Sequence, residues 1–252
     1  MSRFSAQTVY PPLISPNEQQ RDSMKNIMFL QQTALFAGIN QIDLQTIMPY
    51  IIPRIFKQGE IIFHEGDPGR FLYLVKSGQV RIFINGMDGS ETSVILFGKP
   101  GDIFGELAVI DGLTRSASAV ALGETVLYTM SRESFRDQMR QHPQLALNFM
   151  KVLSQRVRYN TKQMDSLATL DVPQRLARKL LELAQDYGRI EGQEVRIAMS
   201  LTQGNLASLI GATRESTNKS LGEFRKQNWI RLENGQINIL DPDALRAQVS
   251  AK

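Results

Sequence analysis

The chain has 252 residues, 42% hydrophobic and 21% charged, with a formal charge of +4 from 29 Lys and Arg against 25 Asp and Glu. That composition is ordinary for a globular protein of one large or two modest domains. Cysteine is absent and histidine occurs only as His64 and His142, which excludes disulfides, thiolate nucleophiles and cysteine-bound clusters and leaves histidine-based metal or catalytic chemistry poorly supplied.

No apolar run approaches the roughly 20 residues of a membrane-spanning helix. The sequence does not open on an apolar signal segment, so a cytoplasmic protein without a membrane part is expected. Basic residues outnumber acidic ones from Pro173 onward, while acidic residues are slightly in excess between Gln32 and Leu145. That asymmetry points to an anionic partner for the C-terminal part, such as nucleic acid.

Residues 1–26 are polar, carry Tyr10-Pro11-Pro12 and Ser15-Pro16, and read as an extension that is disordered or lies along another surface. From Ile27 to Met48 apolar residues recur at helical steps, through Leu35, Phe36, Ile39, Leu44 and Ile47. From Ile51 to Met130 short β-branched and aromatic runs follow, among them Ile61–Phe63, Phe71–Val75, Val80–Ile84, Ser93–Phe97, Ala117–Ala121 and Thr125–Met130. Turn sequences separate them, including Gly66-Asp67-Pro68-Gly69, Gly86-Met87-Asp88-Gly89 and Lys99-Pro100-Gly101-Asp102. Many short strands at this spacing predict a β-roll or jelly-roll. His64 and His142 fit structural or surface positions.

Within this region one loop concentrates chemistry: Phe104-Gly105-Glu106-Leu107-Ala108, a spacer, then Arg115-Ser116-Ala117. Gly105 permits positive φ or a close backbone approach. Glu106 offers a carboxylate that can accept from a sugar hydroxyl. Arg115 offers a planar fork of donors matched to a phosphate, and Ser116 a hydroxyl for a remaining oxygen. The loop thus holds parts for both the ribose and the phosphate of a nucleotide.

Met150, Leu153, Val157, Asn160, Met164 and Leu167 then alternate at three- and four-residue steps, as a and d positions do, over about three heptads. A single amphipathic core helix would follow the same steps, but Asn160 on the seam favours a partnered one. Leu170-Asp171-Val172-Pro173 interrupts the pattern and predicts a hinge. Leu176, Leu180, Leu181 and Leu183 give another helix, and Glu194–Ile197 a strand, with Gly188 and Gly192 bracketing a turn. Between Leu201 and Leu221, Thr202 and Thr213 stand at N-cap positions of two short helices, with the small Ala207 and a terminating Gly211 between them. This is helix-turn-helix grammar, and Gln227 to Asp241, with Asn234-Gly235 at its centre, reads as a wing. Arg214, Glu215, Asn218 and Lys219 share one side of the second helix. Arginine can hold guanine O6 and N7 and glutamate can accept from cytosine N4; a solvated face with an Arg–Glu pair is the bland alternative.

On the 104–117 cassette and the 201–221 motif, the chain resembles the cAMP receptor protein (CRP/FNR) family of transcription regulators, cyclic-nucleotide-binding type. The resemblance covers about Ile27 to Asp241. It implies an α+β fold: an N-terminal extension (1–26), a cyclic-nucleotide-binding β-roll (27–145), a dimerisation helix (146–171) and a winged helix-turn-helix DNA-binding domain (172–252). It implies no catalysis and no metal, but cAMP as effector, with cGMP not excluded. The ligand would be held by Gly105, Glu106, Leu107, Ala108, Arg115, Ser116 and Ala117, with Arg156 a weaker candidate. Asn160 and Thr161 would meet the base, one from each subunit, where the family's best-known member has a Thr-Ser pair. DNA contacts fall on Thr202, Thr213, Arg214, Glu215, Asn218 and Lys219, the last replacing an arginine. Thr217 stands where an aliphatic residue is usual. The partners implied are a second copy, palindromic double-stranded DNA and RNA polymerase. A regulator of the same fold that binds DNA without cAMP, or with another effector, is the alternative. A nucleotide hydrolase lacks an activated nucleophile, and a sensing subunit without DNA contact is opposed by the 201–221 motif.

Overall fold

In the computed structural model, a helical cap, a two-sheet β-roll, one long helix and a winged helix-turn-helix follow one another along the chain; residues 16–86, 91–199, 201–233 and 235–250 are described, with side chains from 24 onward. The expected turn at Gly86–Gly89 and the tip Asn234 lie largely outside these residues, as do residues 1–15.

The cap differs from expectation. Helix α1 (Pro16–Gln31) begins inside the supposed extension, and the helical run breaks after it into a 3-10 turn at Ala34–Phe36 and helix α2 (Gln41–Ile47). Two contacts explain the extra helix. Ile27 and Leu30 are buried against the neighbouring core, and the Asn26 Oδ1 accepts from the Tyr128 hydroxyl (2.5 Å) and the Lys76 ammonium (3.2 Å). The break is equally local: the Thr33 hydroxyl donates to the Leu30 carbonyl at 2.8 Å and Asn40 caps α2.

The roll comprises β1 (Ile52–Phe56), β2 (Ile61–Phe63), β3 (Phe71–Ser77), β4 (Val80–Asn85), β5 (Glu91–Phe97), β6 (Ile103–Phe104), β7 (Ser118–Ala121) and β8 (Thr125–Ser131), with the short helix α3 (Glu106–Asp111) after β6. Its antiparallel sheets run β1-β8-β3-β6 and β2-β7-β4-β5. Val75, Val80, Phe97, Phe104, Ala119 and Leu127 fill the space between them. β5 is an edge strand with a bulge: Ile95 faces Ile82 and Ser93 faces Phe83, which leaves Val94 as the extra residue.

Helix α4 (Arg132–Gln141) leads into the long helix α5 (Pro143–Thr169). The long helix begins at Pro143, ahead of the expected Met150, because its first turns bury a different face: Leu145 and Phe149 join the core under the cap. Beyond them Met150, Val157, Met164 and Leu167 form an exposed apolar stripe, with Met164 70% exposed.

The last unit holds α6 (Val172–Tyr187), β9 (Gly188–Glu191), β10 (Glu194–Ile197), α7 (Gln203–Leu209), α8 (Arg214–Lys226), β11 (Ile230–Glu233), β12 (Gln236–Ile239) and α9 (Pro242–Ser250). Gly188 to Glu191, expected as part of a turn, pairs with β10 and completes the sheet β11-β12-β10-β9. Leu176, Leu180, Leu206, Leu221, Phe224 and Ile237 make its core, and Leu96 of β5 enters the same cluster. Thr217 is fully buried at the position where an aliphatic side chain was expected; its hydroxyl donates to the Thr213 carbonyl at 2.9 Å, so the polar group is satisfied within α8. Asp171 and Gln174 form a capping box at the start of α6, with Pro173 in its first turn. Asp171→Ala removes that box, and urea unfolding of the variant should show a loss of about 1 kcal/mol.

Candidate functional site

Strand β6 ends where Gly105 turns with φ 72°, and this places the start of α3 against one end of a cavity in the roll. A Cβ on Gly105 would lie 2.6 Å from the Arg115 Nη1, so only glycine lets the two approach. Ile82, Ile84, Val94, Ile95 and Phe97 wall the cavity, and Glu106, Leu107, Ala108, Arg115, Ser116, Ala117, Arg156 and Asn160 complete it.

Arg115 is 4% exposed. Its Nη1 donates to the Gly105 carbonyl (2.5 Å) and its Nη2 to the Phe71 carbonyl (2.6 Å). The guanidinium carbon lies 4.3 Å from the Phe63 ring centroid and 5.6 Å from that of Tyr73. No carboxylate pairs with it among the described residues, and its Nε has no partner there. Burial lowers the Arg115 pKa below the ordinary arginine value, opposed by the nearby Tyr73 and Glu106, and burial raises the Tyr73 phenol. Among the described residues the direct partners of this cation are neutral carbonyls and the Tyr73 and Phe63 rings, and an anion entering the cavity would complete its coordination.

Glu106 is buried and its Oε1 accepts from the Arg156 Nη1 at 2.8 Å. The Arg156 Nη2 donates to the Ile103 carbonyl at 2.7 Å, and the guanidinium carbon sits 4.7 Å from the Phe97 ring centroid. The two arginines are joined through stacked rings: Tyr73 on Phe104 (5.0 Å, 10°) and Phe104 on Phe97 (5.7 Å, 15°). Sequence reasoning missed this aromatic frame, although Phe63, Tyr73, Phe97 and Phe104 all lay on recognised strands or at the cassette's edge. Arg156, a weaker candidate by sequence, lines the cavity and pairs with Glu106.

Asn160 follows Arg156 by one helical turn, about 6 Å along α5, and lines the cavity beside Val94. Thr161 does not line it in its own chain; its hydroxyl donates to the Val157 carbonyl at 3.0 Å on the exposed side of α5.

At the other end of the molecule, the Thr202 hydroxyl accepts from the Asn205 N–H and that of Thr213 from the Ser216 N–H, each at 3.1 Å, which caps α7 and α8. Arg214, Glu215, Asn218 and Lys219 are all exposed on α8, and none forms an ion pair among the described residues. Arg214 lies against Gly204, where a Cβ would come within 3.0 Å of its Nε. The described residues contain no group of His, Asp and Glu able to hold a metal ion, and no helix long and apolar enough to cross a membrane.

Residues 53–142 match the cyclic nucleotide-binding domain and residues 174–248 the Crp-like helix-turn-helix domain. The CRP-like cAMP-activated global transcriptional regulator of Mycobacterium tuberculosis is 35% identical over 86% of this chain and 96% of its own length. The chain belongs to the CRP/FNR family of transcription regulators. Members of this CRP/FNR family are DNA-binding regulators rather than enzymes. The Global nitrogen regulator of Synechocystis is 29% identical over 80% of this chain and 90% of its own. Among solved structures, a CRP/FNR-family transcriptional regulator from Thermus thermophilus superposes with a TM-score of 0.67 at 28% identity, over 79% of this chain and 99% of its own.

The Glu106–Arg156 pair yields a direct test. Arg156→Ala strands a buried carboxylate, so urea unfolding should show a loss of about 3 kcal/mol or more, of which adding Glu106→Gln restores most. A loss below about 1 kcal/mol would mean that solvent serves Glu106 instead.

Proposed function

We propose that this chain is a cAMP-responsive regulator that binds palindromic DNA as a homodimer in the cytoplasm. The observation that carries the reading is Arg115, a buried cation that lines the cavity and has no carboxylate partner among the described residues. A cyclic phosphate supplies the missing anion. Its oxygens take bonds from the Arg115 guanidinium, the Ser116 hydroxyl and the Ala117 N–H, at the end of the cavity where α3 begins. The ribose hydroxyl donates to Glu106, which Arg156 already orients. Gly105, Leu107 and Ala108 shape the mouth. The base then lies along Ile84, Val94 and Asn160.

The exposed stripe of Met150, Val157, Met164 and Leu167 on α5 has the spacing of a coiled-coil seam and is covered by a second copy of the chain. That pairing would bring Thr161 of the other subunit to the base. Residues 27–145 act as the sensing domain, 146–171 as the dimerisation helix and 172–252 as the DNA-binding domain. Two α8 helices in such a dimer read half-sites one helical turn apart, with Arg214, Glu215, Asn218 and Lys219 toward base edges and Thr202 and Thr213 beside the phosphates. RNA polymerase is the further partner through which bound regulator acts.

Calorimetric titration with cAMP and cGMP tests the sensing half. Each charge-assisted bond to the phosphate contributes about 1.5–3 kcal/mol. Arg115→Ala should therefore weaken cAMP binding by roughly one to two orders of magnitude or more. No binding by the intact protein would leave a regulator that is effector-independent or gated by another ligand. For the DNA half, Arg214→Ala should cost about 1–3 kcal/mol and relax preference at one base pair of each half-site, read by competition with single-base variants.

A further inference from the structure

β5 is the outer strand of its sheet, so one row of its backbone groups has no strand to bond to. A side chain from the helix-turn-helix fills part of that row. The Ser208 hydroxyl on α7 donates to the Glu91 carbonyl at 3.0 Å and accepts from the Ser93 N–H. Ser208 thus behaves as a one-residue strand partner for β5. Leu96, three residues along, inserts into the core of the DNA-binding unit, and the Tyr187 hydroxyl reaches the Leu96 carbonyl. At the strand's far end Lys99 pairs with Asp186, and the Gln79 amide donates to the Ala198 carbonyl at 3.2 Å.

The same strand is a wall of the nucleotide cavity, through Val94, Ile95 and Phe97. The bulge at Val94 is what lets one edge strand serve both sides, since the extra residue re-aims the side chains on either side of it. Val94 and Asn160 line the nucleotide cavity and also a cleft that Ser208 and Leu209 line.

The docked placement bears on DNA. Thr202, Thr213 and Arg214 face Arg81, Glu91 and Thr92 of the β4–β5 hairpin across a single cleft. A DNA backbone seated on the starts of α7 and α8 would meet that hairpin, whose Arg81–Glu91 ion pair (2.5 Å) fills the far side of the cleft, so the obstruction is steric.

We infer that Ser208 is a positioning residue: it latches the helix-turn-helix to the cavity-wall strand β5 in a placement that opposes DNA entry, so that ligand and DNA cooperate through this one strand. The coupling of the latch to a nucleotide rests on the cAMP reading above; the latch itself does not. Coupling of this kind is reciprocal, so an element that biases one binding event must bias the other.

The test compares Ser208→Ala with Ser208→Thr, which keeps the hydroxyl. In the full chain without nucleotide, Ser208→Ala should speed hydrogen exchange of the Ser93 amide about tenfold, followed by NMR, and Ser208→Thr should restore it. DNA affinity without nucleotide should rise several-fold in Ser208→Ala, and the stimulation by cAMP should shrink by the same factor. Unchanged Ser93 exchange overturns the latch. An equal change of DNA affinity with and without cAMP, or a fall without nucleotide, overturns its opposition to DNA. If the intact protein binds no cAMP, the exchange and nucleotide-free DNA measurements still judge the latch, and only the effector assignment fails.

Discussion

A guanidinium buried without a carboxylate partner among the described residues is the constraint on which the nucleotide-binding domain depends. Placing Arg115 inside the roll removes it from water, and neutral partners compensate only in part: two backbone carbonyls and the faces of Phe63 and Tyr73. Each partner fixes something else. The Gly105 carbonyl can reach the guanidinium only because its residue lacks a side chain and turns with positive φ. The Phe71 carbonyl ties the loop to β3. Tyr73 begins the stack that runs through Phe104 and Phe97 to Arg156, and Arg156 in turn neutralises Glu106. The proposed phosphate and ribose contacts, Arg115 and Glu106, are therefore parts of one connected frame.

Much of this was legible in sequence because the relevant residues are local. The cassette lies within a single loop, and its glycine, carboxylate and arginine declare their chemistry by type. The two N-cap threonines and Gly211 likewise mark the helix-turn-helix without reference to anything distant. What escaped was set by tertiary packing. The start of α5 was hidden because the helix switches its buried face after Phe149, so that no single apolar stripe runs its length. α3 was hidden because it spans only Glu106–Asp111, too short for a periodic pattern. β1 carries Pro53 and exposes most of its side chains, so its pairing with β8 leaves little alternation to read. The Glu106–Arg156 pair joins residues fifty positions apart, and the aromatic frame draws on separate strands through Tyr73, Phe97 and Phe104, so nothing in one neighbourhood announces the other.

The relation between the two halves is carried by the boundary elements rather than by the hinge alone. Asp171 and Pro173 fix where α6 starts. Its direction is then held from the long helix, where the Lys179 ammonium bonds the Tyr159 hydroxyl (3.2 Å) and Gln163 (3.1 Å) while paired with Glu182. A buried, fully partnered cation at such a junction specifies register more than it adds stability. The DNA-binding unit is thus positioned by polar pins along α5 and by β5 at its flank.

The helix α1 has a practical consequence for anyone dividing the protein into parts. The segment that matches the nucleotide-binding family model starts at residue 53, and a fragment cut there would lose the whole cap. Leu72, Tyr128, Met130 and Phe135 now share one buried cluster with Leu30, Phe36, Leu44 and Ile47 of that cap. Trimmed to the matched segment, the roll would present this greasy surface to solvent and associate through it, whereas a boundary placed before Pro16 keeps the lid on.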